Sequence, residues 1–118
     1  MLDLVAKKLF LTKGVGIADD KLTSFEFALR QAGIAGTNIV LISSIFPPNA
    51  KLIPRKDGLK LIKPGQILFT IYSRNQTNET NRLISASVGI AQPKDRSKYG
   101  YLSEYDAFGK NERESGDY

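Results

Sequence analysis

The sequence predicts an α+β fold, with one helix accompanying a mainly antiparallel β-sheet. Three observations lead there. Only one stretch, from Leu22 to Ala32, repeats its apolar residues at helical spacing. The other apolar segments are short, rich in β-branched residues and bounded by Gly, Pro or Asn. A chain of 118 residues, 42% hydrophobic and 25% charged, has the size and composition of one compact domain, residues 1–118.

Taken in order, Leu9 to Thr12 reads as a first strand, and Gly14-Val-Gly16 beyond it as a turn. Asp19-Asp20 reads as an acidic, solvated loop. The helix starts near Leu22, with Thr23 or Ser24 as its cap and Glu26 in the first turn. Leu22, Phe25, Leu29 and Ala32 form its apolar face, and Gly33 terminates it. Asn38 to Ser43 is a nearly continuous apolar run that suits a buried strand. Pro64-Gly65 turns the chain into a strand over Gln66 to Tyr72. Leu83 to Ala91 and Tyr99 to Tyr105 complete the strands. Between them, residues 73–81 carry no aliphatic or aromatic side chain and read as a loop, and its two Asn-x-Thr sequons at Asn75 and Asn78 read as chance composition.

Composition narrows the chemistry. Cysteine is absent, which excludes disulfides, thiolate metal sites and Cys nucleophiles. Histidine is absent too, and with it the Ser-His-Asp triad and the usual zinc ligand sets. No apolar run approaches the ~20 residues of a membrane span. Asp3, Lys7 and Lys8 break any signal-peptide pattern at the start, so the chain reads as cytoplasmic, with no membrane partner. The net charge is +5, with ten Lys/Arg against three acids from Lys51 to Lys98. No aromatic strip interleaves with these cations, so they read as solvated strand decoration and nucleic acid is not expected.

Two places hold possible chemistry. Ser43-Ser44 ends the third apolar segment and is followed by Ile-Phe-Pro47-Pro48, a rigid bend that is expected to hold the serines in a restricted conformation. The plainer explanation is a strand terminus whose hydroxyls satisfy local backbone groups. Glu104, in Leu-Ser-Glu-Tyr-Asp, shares a strand face with Leu102 and Asp106, so a partly apolar setting is open to it. A solvated strand-end carboxylate is the commoner explanation.

Longer blocks are more specific. Phe25-x-x-Ala-Leu-x-x-Ala-Gly-Ile34 is followed by Asn38-Ile-Val-Leu-Ile-Ser-Ser-Ile-Phe-Pro-Pro48. Ile84-Ser-Ala-x-x-Gly-Ile-Ala-x-Pro-Lys-Asp95 and Gly100-Tyr-Leu-x-Glu-Tyr105 come later. In this order they resemble the pyruvoyl-dependent arginine decarboxylases, from about Leu9 to Phe108. The resemblance implies a self-made cofactor, a covalent pyruvoyl group derived from Ser44. The Ser44 hydroxyl attacks the carbonyl of Ser43, the peptide becomes an ester, and β-elimination then cuts the chain. The products are a β chain of residues 1–43 and an α chain of residues 44–118. Asn38 matches the family's processing asparagine and Glu104 its proton donor. Where the family places an aspartate for the substrate guanidinium, this chain has Glu26. The implied reaction converts L-arginine to agmatine and CO2 through a Schiff base on the pyruvoyl ketone, serving polyamine synthesis or acid resistance.

The implied fold is the β-sheet sandwich with packed helices of the pyruvoyl-dependent histidine and arginine decarboxylases. It assembles as a trimer of αβ protomers with active sites at subunit boundaries. After Phe108-Gly109 the family continues through a helix and a strand, whereas this sequence stops at Tyr118, so a domain lacking both is expected. Two alternatives stay open: decarboxylation of another amino acid, or an uncleaved, inactive, truncated relative.

Overall fold

The structure is a computed structural model and describes residues 4–75 and 84–108, with the backbone alone at 84–87 and 105–108. Asn78, Leu83 and the polar tail from Lys110 lie outside the described residues. The elements are β1 (Lys8–Leu9), α1 (Lys21–Ala32), β2 (Asn38–Leu41), β3 (Ile45–Phe46), β4 (Lys51–Leu52), α2 (Arg55–Leu59), β5 (Ile67–Thr70), β6 (Ile84–Ala91) and β7 (Gly100–Phe108). Helix and small sheets are thus mixed, as in the α+β class. Two compact units form: Met1–Val40 with Ala50–Leu68, and Leu41–Asn49 with Phe69–Tyr118. No helix among the described residues is long and apolar enough to cross a membrane.

In the first unit, α1 begins one residue earlier than the apolar spacing indicates, because Asp20 is its cap. Asp20 has extended backbone (φ −124°, ψ 157°), and its Oδ1 accepts the Thr23 N–H at 2.7 Å. Its Oδ2 accepts the Thr23 hydroxyl at 2.8 Å. A carboxylate both accepts more strongly than a hydroxyl and complements the helix dipole, so Asp20 takes the place expected of Thr23 or Ser24. Glu26 consequently lies beyond the first turn, which carries no acid. Gly33 ends the helix at φ 86°, its N–H bonded to the Arg30 carbonyl at 3.1 Å. This left-handed conformation suits glycine.

The Thr23 N–H holds the Asp20 carboxyl below its ordinary value of 3.8. In the second unit the Ser97 hydroxyl and N–H do the same for Asp95. A carboxyl depressed by folding stabilises the fold above its unfolded value, and that contribution disappears as pH falls through the folded value. The thermal midpoint should therefore drop below pH 3.8, and less steeply in Asp20→Asn, which a pH series of melting curves checks.

β1 and β4 pair in parallel, Lys8 opposite Lys51 and Leu9 opposite Leu52. The strand expected to run to Thr12 stops at Leu9, because the chain then turns its backbone onto α1. Thr12 donates its hydroxyl to the Ala32 carbonyl at 2.7 Å, and the Val15 N–H bonds the Gln31 side chain. Gly14 and Gly16 lie flush against the helix backbone: a Cβ on Gly14 would strike the Ala28 carbonyl, and one on Gly16 the Ser24 carbonyl. This segment is not the turn its glycines suggested; they permit close backbone approach instead. Gly16→Ala should cost about 2 kcal/mol or more, read as a lower urea midpoint, because rigid backbone has nowhere to move.

β2 pairs with β5, whose entry turn follows the Pro64-Gly65 expectation. Gln66 N–H bonds the Lys63 carbonyl at 3.1 Å, with Gly65 at φ 81°. β2 is not the buried strand that its apolar run suggested. Val40 is 41% and Leu41 60% exposed, since a two-stranded ladder has no covering layer among the described residues.

In the second unit β3, β7 and β6 form one antiparallel sheet in that order. Ile45 faces Tyr101, Phe46 faces Gly100, and β6 matches β7 from Ile84–Phe108 to Ala91–Tyr101. Among the described residues, Phe46 and Leu102, each 3% exposed, are its buried apolar side chains. Gly100 has no room for a side chain, because a Cβ would meet the Ala91 carbonyl. The short elements β3, β4 and α2 carry no periodicity long enough to read from sequence.

Candidate active site

The second unit holds Ser43, Ser44 and Glu104. Ser43-Ser44 joins two paired segments. Before them, the Ile42 N–H bonds the Thr70 carbonyl at 3.0 Å. After them, β3 starts at Ile45, and Ser44 itself lies at a bend. The Ser44 carbonyl accepts the Leu102 N–H at 2.7 Å, which extends the β3–β7 register by one pair. Both serines are exposed, and among the described residues no hydrogen bond of either hydroxyl is seen. The expected hydroxyl-to-backbone bonds of a plain strand terminus are therefore not formed.

Backbone strain does not sit at the serines. Among described non-glycine residues only Asn49, at φ 60°, is left-handed. It follows Pro47-Pro48, and its N–H bonds the Arg96 carbonyl at 2.7 Å. The restraint on Ser44 comes from pairing: the ladder grips its carbonyl, and the buried side chains of Phe46 and Leu102 hold the ladder.

Glu104 lies on β7 opposite Val88. Side chains alternate along a strand, so Glu104 shares the face of Leu102, roughly 7 Å further along it. One strand thus carries both the amide that grips Ser44 and this carboxylate. The apolar enclosure open to Glu104 from sequence is not formed among the described residues, for the side chain is exposed. Burial on that face includes Leu102 but not Glu104.

The first unit holds Asn38 and Glu26. Asn38 opens β2 and is exposed. Its N–H bonds the Gln66 carbonyl at 2.8 Å, and its side-chain amide donates to the Gly65 carbonyl at 3.0 Å. One hydrogen of that amide is therefore committed to the Pro64-Gly65 turn. Glu26 is half-buried on α1, and its Oε1 accepts from Arg30 Nε at 3.2 Å. Arg30 also lies over the Phe27 ring, 5.8 Å from its centroid. Glu26 thus already faces a guanidinium, through one contact rather than a two-point fork.

Two participants escaped the sequence reading. Arg30 was findable, since Glu and Arg four apart on a helix meet. The Leu102 amide was not, because strand pairing across nearly sixty residues leaves no local trace.

The comparisons with known proteins converge. The family described as pyruvoyl-dependent arginine decarboxylase matches residues 8–118. A protein of Nitrosopumilus maritimus with that name is 77% identical over all 118 residues. One of Thermoplasma volcanium, with the same name, is 52% identical over 118 residues. One of Chlorobaculum tepidum, named as a probable member, is 54% identical over 117. The chain spans 64% of the length of the first of these relatives and 65% of the other two.

Proposed function

This chain belongs to the family of pyruvoyl-dependent arginine decarboxylases, and on that premise we propose that it matures by cutting itself between Ser43 and Ser44 and then decarboxylates L-arginine to agmatine and CO2. The observation that carries this reading is the state of Ser44. Its carbonyl is gripped by β7 while its hydroxyl is exposed and unengaged next to the Ser43 carbonyl. A hydroxyl committed to a local cap would be a poor nucleophile; this one is available.

Residue 44 would hold the pyruvoyl group at the start of the second chain, and the residues present fit it. The serine precursor stands at the family's position, exposed to the water that the last step of its formation consumes. Once formed, the group supplies a ketone that takes up the substrate amine and draws off the electron pair left by departing CO2. Asn38, through the amide hydrogen not bound to Gly65, is the donor for the oxyanion of the first processing step. Glu104 delivers the proton to the α-carbon after CO2 leaves. Glu26 receives the substrate guanidinium. In the mature protein, the chain ending at Ser43 and the chain starting at residue 44 form an αβ protomer with the sandwich architecture of the family, and three protomers assemble in the cytoplasm.

Denaturing intact-mass spectrometry of purified protein tests the reading. Two chains divided between Ser43 and Ser44, the second starting with a pyruvoyl mass, are expected. A single uncut chain after long incubation would withdraw the enzyme assignment.

The Glu26–Arg30 pair favours a second reading, in which a different amino acid is the substrate, because the carboxylate assigned to the guanidinium already has one. Product analysis with arginine, aspartate, histidine and ornithine separates the two. If arginine is the substrate, Glu26→Ala should raise KM for arginine about tenfold or more, through loss of a charge-assisted pair, while leaving self-cleavage unchanged.

A further inference from the structure

We infer that the backbone N–H of Leu102 is the electrophilic donor for the β-elimination step of maturation, stabilising the enolate that develops on the Ser44 carbonyl oxygen. This rests on the self-processing reading above and adds a division of labour within it.

The two chemical steps place charge on different oxygens. In the first, Ser44 Oγ attacks the Ser43 carbonyl carbon, the Ser43–Ser44 C–N bond breaks, and the Ser44 nitrogen takes up the hydroxyl proton. The product is an ester of Ser43 with a free amine on Ser44, and the transient negative charge sits on the Ser43 oxygen. In the second, the α-proton of Ser44 leaves to water. Its electron pair moves first toward the Ser44 carbonyl and then into a Cα–Cβ double bond. The Cβ–Oγ bond breaks, and Ser43 departs as a carboxylate retaining that oxygen. The residue left at position 44 is an enamine; taking up a proton at Cβ it becomes an imine, which water hydrolyses to the pyruvoyl ketone and ammonia.

Removal of an α-proton is the difficult part, because the α-carbon of an amide is a weak acid. Whatever stabilises negative charge on the Ser44 carbonyl oxygen lowers that barrier. The Leu102 N–H is already aimed at this oxygen, at 2.7 Å. It cannot drift: the Ile45–Tyr101 and Phe46–Gly100 pairs continue the same ladder, and the Leu102 and Phe46 side chains are buried. A donor fixed before the charge appears strengthens as the charge grows, without reorganising. It does not touch the Ser43 oxygen, so the first step should be indifferent to it.

The test replaces Leu102 in the full chain by its α-hydroxy analogue, which turns that one N–H into an ester oxygen and keeps the side chain. The same backbone change at Gly100, also in the β3–β7 ladder, is the control. Maturation is followed by intact mass with and without hydroxylamine, which cuts the ester intermediate and leaves a hydroxamate on Ser43 and an unmodified serine amine at residue 44. The position-102 variant should eliminate about 100-fold more slowly and accumulate the ester that hydroxylamine converts to a Ser43 hydroxamate, a mass distinct from any cut at the introduced ester. The control should mature at the parent rate. Maturation of the 102 variant at the parent rate would overturn the inference. So would an uncut 102 variant with no trapped ester, or a control that stalls equally, since either would assign the bond to folding. A parent chain that neither cuts nor traps overturns the self-processing reading, and this inference with it.

Discussion

Replacing Ser44 by alanine is expected to leave the chain whole, with no product dividing at Ser43 after prolonged incubation. The loss should be complete, because the substitution removes the only atom able to carry the acyl group away from nitrogen. Ser43 cannot substitute for it: attack on its own carbonyl would close a strained four-membered ring. Folding should survive, since the Ser44 hydroxyl has no hydrogen-bond partner among the described residues and the Leu102 bond uses the backbone. Circular dichroism and an unchanged melting curve would verify that. Ser44→Thr is the sharper companion. Its hydroxyl can still attack, but elimination leaves a ketone terminus one methylene heavier than pyruvoyl. That mass, read on the second chain, would identify residue 44 as the source of the group. Cleavage that survives in Ser44→Ala would sink the mechanism.

Glu104→Gln is expected to separate maturation from catalysis. Neither processing step takes a proton from Glu104, so the cut between Ser43 and Ser44 should proceed at the parent rate. Decarboxylation should fall by about 10²–10⁴-fold, the usual contribution of a positioned general acid. The loss should lie in kcat with KM little changed, since proton delivery follows substrate binding. Glutamine keeps the size and polarity of the side chain, and the residue is exposed, so destabilisation is not an alternative explanation. If activity persists, the proton comes from elsewhere and the role of Glu104 on β7 is only structural. If cleavage fails as well, Glu104 acts during maturation instead.

Much of this was legible locally. Gly33 and the Pro64-Gly65 turn were readable because each places a residue with special backbone freedom where the chain needs a positive φ. Ser43-Ser44 was legible as a place, through the hydroxyls and the di-proline that follows, and as chemistry only through resemblance to a family. The helix cap was misread by a few residues because Asp20, Thr23 and Ser24 all qualify, and the choice depends on which side chain meets a free N–H. Gly14 and Gly16 were misread for a different reason. A glycine needed for close approach and one needed for a turn look identical until the neighbouring backbone is in place.

By itself the sequence determined the α+β class and its longer elements, the exclusion of Cys and His chemistry, and the position of a serine pair at a strand end. These depend on residue type and on spacing of a few positions, which the chain carries at every point. Tertiary structure alone decided that the Ser44 carbonyl is gripped by Leu102, and that β2 is exposed. Each of these is a pairing or a covering by residues distant in sequence. Backbone amides are the same in every residue but proline, so only strand register decides which one reaches the reacting oxygen.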